Sequence, residues 1–229
     1  MFKAVIFDID GTIVDSVDLH ITAWQDAFRK YGKEIPYKAI RSQIGKGADQ
    51  LLPVFFSREK LKVFGEELEK YRSDLFKKKY LPRVRAFPKV RELFLRIKSD
   101  EMLISLASSA KKDELKTHKR IAQIEDLVDT ETSSDDAEKS KPFPDIFQVA
   151  LKKLGNMSPG NVVVIGDTRY DAEAAARADM SAIGFLCGGS TEEELRESGC
   201  IALYHDPADL LAQYEKSPFS KSWRCDSDQ

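Results

Sequence analysis

Apolar residues along this chain fall into two kinds of pattern. Short continuous runs rich in β-branched residues occur at Ala4–Phe7, Leu103–Ala107, 162–165 and 182–186. A run of this length that is apolar at nearly every position suits a strand buried on both faces, as in a parallel sheet covered by helices on each side. A weaker fifth run lies at 127–130. Between the runs the spacing becomes helical and predicts helices near Val90–Ser99, 112–124, 144–154, 171–178 and 191–198. Gly155 and Gly199 stand where helix-ending glycines belong. Alternating strands and helices imply right-handed crossovers and an α/β, doubly wound (Rossmann-like) parallel sheet. Counting the five runs along the chain, the expected strand order is 5-4-1-2-3, which reverses between strands one and four.

One gap breaks the alternation. Nearly a hundred residues separate Phe7 from Leu103, far more than one crossover helix needs. Inside it Val17, Ile21, Trp24, Phe28 and Tyr31 recur at helical spacing, with Gly32 as a stop. Leu61, Phe64, Leu68, Tyr71 and Leu75 mark a second long amphipathic helix, and Gly45, Lys46 and Gly47 form a flexible break between the two. Residues 17–85 are therefore expected to be an all-helical subdomain inserted into a core of residues 1–16 and 86–216, its aromatic stripes serving as its own core. The polar tail 217–229 has only Phe219 and Trp223 to anchor it and is expected to fray.

Composition narrows the class. With 229 residues and a hydrophobic fraction of 42%, the chain can bury one large core or a core plus an insertion. Lys and Arg (36) nearly balance Asp and Glu (38), so no strong field draws in nucleic acid or an anionic membrane. No apolar run approaches the ~20 residues that span a bilayer, and the N-terminus enters a strand run where a signal peptide would have its basic and apolar regions. Three separated cysteines (Cys187, Cys200, Cys225) make neither a disulfide framework nor a metal knuckle, which points to the reducing cytoplasm. No heptad pattern forces self-association, so a monomer or weak homodimer is expected.

The chemistry-bearing residues collect where the strands end. The first run closes in Phe7-Asp8-Ile9-Asp10-Gly11-Thr12. Residues i and i+2 of an extended segment point the same way, so Asp8 and Asp10 face one ligand, and carboxylates this close have their proton affinities pushed apart. A capped or calcium-type loop is compatible with the Asp8-Ile9-Asp10-Gly11 turn taken alone. The second run leads into Ser108-Ser109, where hydroxyl and backbone N–H groups before a helix can hold a phosphate oxygen; such turns also occur without a ligand. In Lys141-Pro142-Phe143-Pro144-Asp145 the prolines fix the backbone beneath Lys141, as a lysine aimed at a defined charge requires. The run at 162–165 leads into Gly166-Asp167-Thr168-Arg169-Tyr170-Asp171, whose carboxylates suit Mg²⁺, although Asp171 also fits a helix cap. On one edge of a parallel sheet these segments converge at the switch point, where ligands bind beyond the carboxyl ends of the strands.

Taken in order, the segments resemble the motifs of the haloacid dehalogenase-like hydrolase superfamily: DIDGT at 8–12, Ser108, Lys141 and GDTRYD at 166–171. The resemblance spans nearly the whole chain. The helical insertion is similar to that family's small α-helical cap, and the stretches TSSDDAEKSKPFPDIF and GFLCGGSTEEEL resemble its phosphoglycolate phosphatase-like branch. It implies a Mg²⁺-dependent phosphatase for a small phosphate monoester, phosphoglycolate-like or a sugar phosphate. Asp8 would be the nucleophile, carrying a transient aspartyl-phosphate, and a metal ligand. Asp10 would be the acid/base and would bind the metal through its backbone carbonyl. Asp167 would complete the ligands, with Asp171 supporting through water or Lys141, while Ser108 and Lys141 would hold the transferring oxygens. Thr12 and Ser109, with His20, Lys46 and Gly47 from the cap, complete the expected substrate contacts.

Two other readings stand beside this one. A β-phosphoglucomutase-like isomerase shares the nucleophile and acid/base, and His20 and Trp24 resemble positions in its first cap helix. That mutase pattern has Glu-Asp where this chain has Gly166-Asp167, and an Arg after its cap glycine loop that only Arg41 or Arg58 would replace here. His20 is also compatible with filling the seam between cap and core. A non-catalytic binding protein on the same scaffold could dispense with Asp8, Asp10, Lys141 or Asp167, yet all four are present.

Overall fold

In a computed structural model that describes residues 2–220 and 223, the run Ala4–Phe7 forms β1, buried at all four positions. A two-residue strand β2 (Val14–Asp15) follows, then four helices: α1 (Val17–Lys30), α2 (Tyr37–Arg41), α3 (Ala48–Phe55) and α4 (Arg58–Leu75). The chain leaves α4 through a π-helical turn at Phe76–Tyr80 and returns through β3 (Arg85–Ala86). From there strands and helices alternate: α5 (Val90–Ser99), β4 (Leu103–Ala107), α6 (Lys112–Ile121), β5 (Thr130–Thr132), α7 (Asp145–Lys153), β6 (Val162–Gly166) and α8 (Arg169–Arg177). β7 (Ser181–Phe185), α9 (Glu192–Glu197), β8 (Cys200–Tyr204) and α10 (Pro207–Ala212) complete the described elements.

β1 lies inside a parallel sheet of order β5-β4-β1-β6-β7-β8. This differs from the expected order by one added strand, β8, on the edge beyond β7. Four of the five residues of β8 are only half-buried, so its pattern lacks the continuous burial that marks the central strands. The weak fifth run also moves: the strand occupies Thr130–Thr132, while Leu127 and Val128 pack partly buried against the core in the turn before it. Alternation divides β1 between two cores, as strand geometry requires. Val5 and Phe7 join α5 through Leu93, Phe94 and Ile97, with the Phe7 and Phe94 rings stacked at 4.6 Å. Ala4 and Ile6 face Phe147 of α7 and Ala174 and Ala175 of α8.

Helices α1–α4 have their own apolar cluster, built on Val17, Ile21, Trp24 and Phe28 with Ile40, Leu51, Leu52, Phe56 and Leu68. Both crossings into this insertion are zipped together, because β2 pairs antiparallel with β3. Gly32, Gly155 and Gly199 end their helices at φ of 75°, 83° and 89°, the left-handed stop that glycine allows at least cost. The fraying expected for 217–229 does not hold at its start. Ser217 and Phe219 are buried, and the Phe219 ring stacks on Tyr214 at 5.3 Å. Of that tail, residues 221, 222 and 224–229 lie outside the described residues, Cys225 among them. No described helix is long and apolar enough to cross a membrane.

Candidate active site

The C-terminal end of β1 delivers Asp8, whose N–H still donates to Ile165 O at 2.8 Å, as if the strand continued. The chain then folds tightly, with the N–H groups of Thr12, Ile13 and Val14 all directed at Ile9 O. Gly11 takes φ 90°, and a Cβ there would stand 2.3 Å from Asp167 Oδ2, so neither backbone nor space admits a side chain. Thr12, fully buried, donates to Asp167 Oδ1 at 3.1 Å and lies 3.5 Å from Asp8 Oδ2. Neighbouring strand ends bring in the remaining groups. Ligand oxygens of Asp8, Asp167 and Asp171 all lie within 4.8 Å of one another, and all three residues are buried.

Lys141 is the counter-charge. It is 1% exposed and its Nζ donates to Asp8 Oδ1 and, at 2.6 Å, to Asp171 Oδ1. Burial opposes its charge, but the Asp171 and Asp8 carboxylates outweigh burial and hold the ammonium charged above its usual range. Its backbone bond to Pro142 is cis. Asp171 is fully engaged: its other oxygen accepts from Thr168 N–H (3.0 Å) and Thr168 Oγ1 (2.6 Å), closing the capping box of α8. Gly166 leaves room for that packing, since a Cβ there would lie 2.4 Å from Asp171 Cγ. Three carboxylates thus share one lysine. Burial first, then the Asp171 and Asp10 charges, push Asp8 up to about 7 against the pull of Lys141. Burial and the charges of Asp171 and Asp8 likewise raise Asp167 well above the carboxylate range, and its Oδ2 is buried with no hydrogen-bond partner.

Asp10 turns away from this cluster toward the insertion. Its Oδ1 accepts from Ser16 Oγ at 2.6 Å and from His20 Nε2 at 2.8 Å. Burial alone would raise its proton affinity, but the interactions with His20 and Ser16 win and keep Asp10 ionised. The direction of the His20 bond follows from Arg72, which contacts His20 Nδ1. A guanidinium only donates, so Nδ1 accepts and the imidazole proton sits on Nε2, donated to Asp10. Burial and the Arg72 charge lower the proton affinity of His20, consistent with a neutral ring stacked on Phe76 at 3.9 Å. Asp8 and Asp10 open onto a cavity of about 390 Å³ roofed by the insertion and floored by the sheet edge.

Residues 5–185 match the profile of the haloacid dehalogenase-like hydrolases. The chain belongs to that family. Among its relatives, the phosphorylated carbohydrates phosphatase of Thermotoga maritima is 29% identical over 91% of this chain and 96% of its own. The β-phosphoglucomutase of Bacillus subtilis is 30% identical over 80% and 82%. A solved hydrolase from Pseudomonas syringae superposes with a TM-score of 0.85 at 28% identity, covering 93% of this chain and 98% of that one.

Within this haloacid dehalogenase-like hydrolase the expected residues part into groups. Asp8, Thr12, Lys141, Asp167 and Asp171 form one buried network, and Asp10 joins it through the shared turn. Ser109 lines the cavity with its hydroxyl buried and unpartnered, whereas the Ser108 hydroxyl accepts Ala110 N–H at 3.0 Å. His20, Lys46 and Gly47 line the cavity, but the Lys46 ammonium is held by Gln43 at 2.6 Å. Arg41 donates to Gly188 O at 2.6 Å in a separate hollow beside Asp167, and Arg58 does not line the cavity. Arg72, Ser16, Glu69 and Glu114 escaped the sequence reading. Arg72 follows Tyr71 of the α4 stripe, and nothing local marks it as facing His20. The acidic cluster fits a hard divalent cation: all its donors are oxygens, its charge exceeds what Lys141 balances, and Asp167 Oδ2 has no partner among the described residues.

Proposed function

We propose that this hydrolase cleaves small phosphate monoesters through an aspartyl-phosphate on Asp8. The observation that carries the reading is the setting of Asp8: at a switch-point strand end, bonded to Lys141, beside the unpartnered Oδ2 of Asp167, with Asp10 facing the same cavity. Asp8 oxygen attacks phosphorus and the ester oxygen departs with a proton from Asp10. Water, losing its proton to Asp10, then attacks the phosphorus, and the bond to Asp8 breaks to return the carboxylate and free phosphate. Lys141 and the Ser109 hydroxyl hold phosphoryl oxygens, and Asp171 anchors Lys141. Asp8 and Asp167, with the Asp10 carbonyl and Asp171 behind them, would hold Mg²⁺. When bound, that cation supplies charge to offset the repulsion between carboxylate and phosphate and keeps both carboxylates ionised. Asp10 rests as the base; a phosphoryl dianion beside it raises its proton affinity and so favours the acid form.

The cavity also bears on the substrate. Beyond Asp8 and Asp10 its wall carries Asp49, Glu69, Glu114, Asp135 and Glu138 against Lys46, Arg72 and Lys111. A second anionic group meets net repulsion there, whereas hydroxyl groups find abundant acceptors, so a sugar phosphate fits better than phosphoglycolate or a bisphosphate. The mutase remains the second reading, supported by His20 on Asp10 and by the β-phosphoglucomutase relative. Against it, a Glu at position 166 would collide with Asp171, and neither Arg41 nor Arg58 reaches the cavity. Phosphate release from hexose phosphates, phosphoglycolate, nucleotides and p-nitrophenyl phosphate, with and without Mg²⁺ and beside Asp8→Asn, is the test. Mg²⁺-dependent release that Asp8→Asn abolishes, fastest on neutral sugar phosphates, is expected. Release undiminished by Asp8→Asn would reject the nucleophile, and interconversion of hexose phosphates without net release would install the mutase.

A further inference from the structure

The loop at 45–47, expected to be a flexible break, is hydrogen-bonded to the core at Ser140. Gly47 N–H donates to Ser140 Oγ at 2.9 Å, Ser140 Oγ donates to Asp49 Oδ1 at 2.5 Å, and Ser140 N–H donates to Asp49 Oδ2 at 3.2 Å. One hydroxyl thus both accepts from and donates to the insertion, while a single carboxylate receives both groups of Ser140. The fit leaves no slack: a Cβ on Gly47 would stand 2.6 Å from Ser140 Cβ and 2.8 Å from Asp49 Oδ1. Ser140 directly precedes Lys141, and its carbonyl accepts Phe143 N–H at 3.1 Å, so the clasped residue belongs to the same turn that carries Lys141. Lys141 in turn reaches Asp8.

We propose that Asp49 and Ser140 are positioning residues through which docking of the helical insertion sets Lys141 on Asp8. When the insertion docks, the carboxylate of Asp49 draws in Ser140 and with it the adjoining lysine backbone. When it lifts, the turn is released on the side facing the cavity, and Lys141 loses one restraint on its approach to Asp8. Water entry and lysine withdrawal are thereby coupled in one movement. The inference rests on Lys141 holding the phosphoryl group, but its first readout needs no turnover.

The experiment is brief acetylation of the full-length protein with acetic anhydride, read at each lysine by peptide mass spectrometry, alongside steady-state hydrolysis of the best ester. Lys141, 1% exposed, labels slowly in the wild type. In Asp49→Ala and Ser140→Ala its labelling rises at least severalfold while Lys98, far from the clasp, is unchanged. The ratio kcat/KM falls roughly 5- to 10-fold, mostly through KM, as for losing partly exposed hydrogen bonds to a charged group. Asp49→Asn, which keeps only one of the two acceptor oxygens, recovers part of the loss, and the double alanine variant is no worse than either single one. Asp49 is exposed and Ser140 half-buried, so neither change threatens folding. Unchanged Lys141 labelling overturns the proposal whatever the kinetics show, and so does faster labelling with unchanged kcat/KM. Failure of the phosphatase reading is seen separately, as hydrolysis that survives Asp8→Asn.

Discussion

The buried charge at the strand ends makes the stability of this hydrolase depend on pH in an unusual direction. Asp8 is ordinarily ionised above 3.8, and in the folded protein its burial among carboxylates raises that point to about 7. Between those values the folded protein keeps a proton that the unfolded chain has lost, so without a divalent cation raising the pH destabilises the fold. A shift from 3.8 to about 7 corresponds to about 4 kcal/mol at about 1.4 kcal/mol per tenfold change in proton affinity. Roughly 3 kcal/mol of it falls above pH 5, equivalent to about 6–12 °C in Tm for a chain of this size. Asp167 is raised in the same sense and steepens the slope. Thermal unfolding followed by circular dichroism from pH 5 to 8, in chelator and in millimolar Mg²⁺, measures the effect. In chelator Tm falls with pH; in Mg²⁺ it holds, and the gap between the two widens with pH because binding displaces those protons. Asp167→Asn gives a shallower slope in chelator, a higher Tm near pH 8 and little response to Mg²⁺. A wild-type Tm that is flat or rising with pH in chelator would refute the reasoning, since the protein's own groups would then compensate the cluster and no cation would be called for.

Two further outcomes follow from single contacts. Arg72→Met keeps volume but removes both the donor to His20 Nδ1 and the nearby positive charge, so His20 should titrate at a higher pH by NMR and turnover should fall roughly 10-fold; an unmoved His20 titration would show that Arg72 does not set the imidazole's state. Lys89 adopts φ 64°, where a side chain costs about 1 kcal/mol that glycine avoids, partly offset by the greater freedom of unfolded glycine and by the lost, exposed Glu92 ion pair. Lys89→Gly should therefore raise stability by about 0.5 kcal/mol in urea unfolding, and a decrease would mean that the turn gains more from Lys89 than its backbone loses.

Much of this molecule is written locally. Continuous apolar runs reveal Ala4–Phe7 and Leu103–Ala107 as central strands because such strands are buried on both faces and leave no polar alternation to confuse the period. Asp8, Asp10, Lys141, Asp167 and Asp171 are legible because each follows a recognisable run or sits between prolines, and a parallel sheet brings the ends of such runs to one edge. β8 and Phe219 were less legible, since a half-exposed edge strand and a single anchoring ring carry no period. The partners of these groups depend on a different cause. Arg72 meets His20 from another helix, and Asp49 meets Ser140 across 91 positions of chain. The first pairing depends on how α4 packs against α1 within the insertion and the second on how the insertion lies on the sheet, both matters of long-range packing that no local pattern encodes. The same is true of the ionisation of Asp8 and Asp10. Spacing says that their proton affinities must diverge, but the direction was set in space, where Asp10 gained Ser16 and His20 while Asp8 was buried with Asp171.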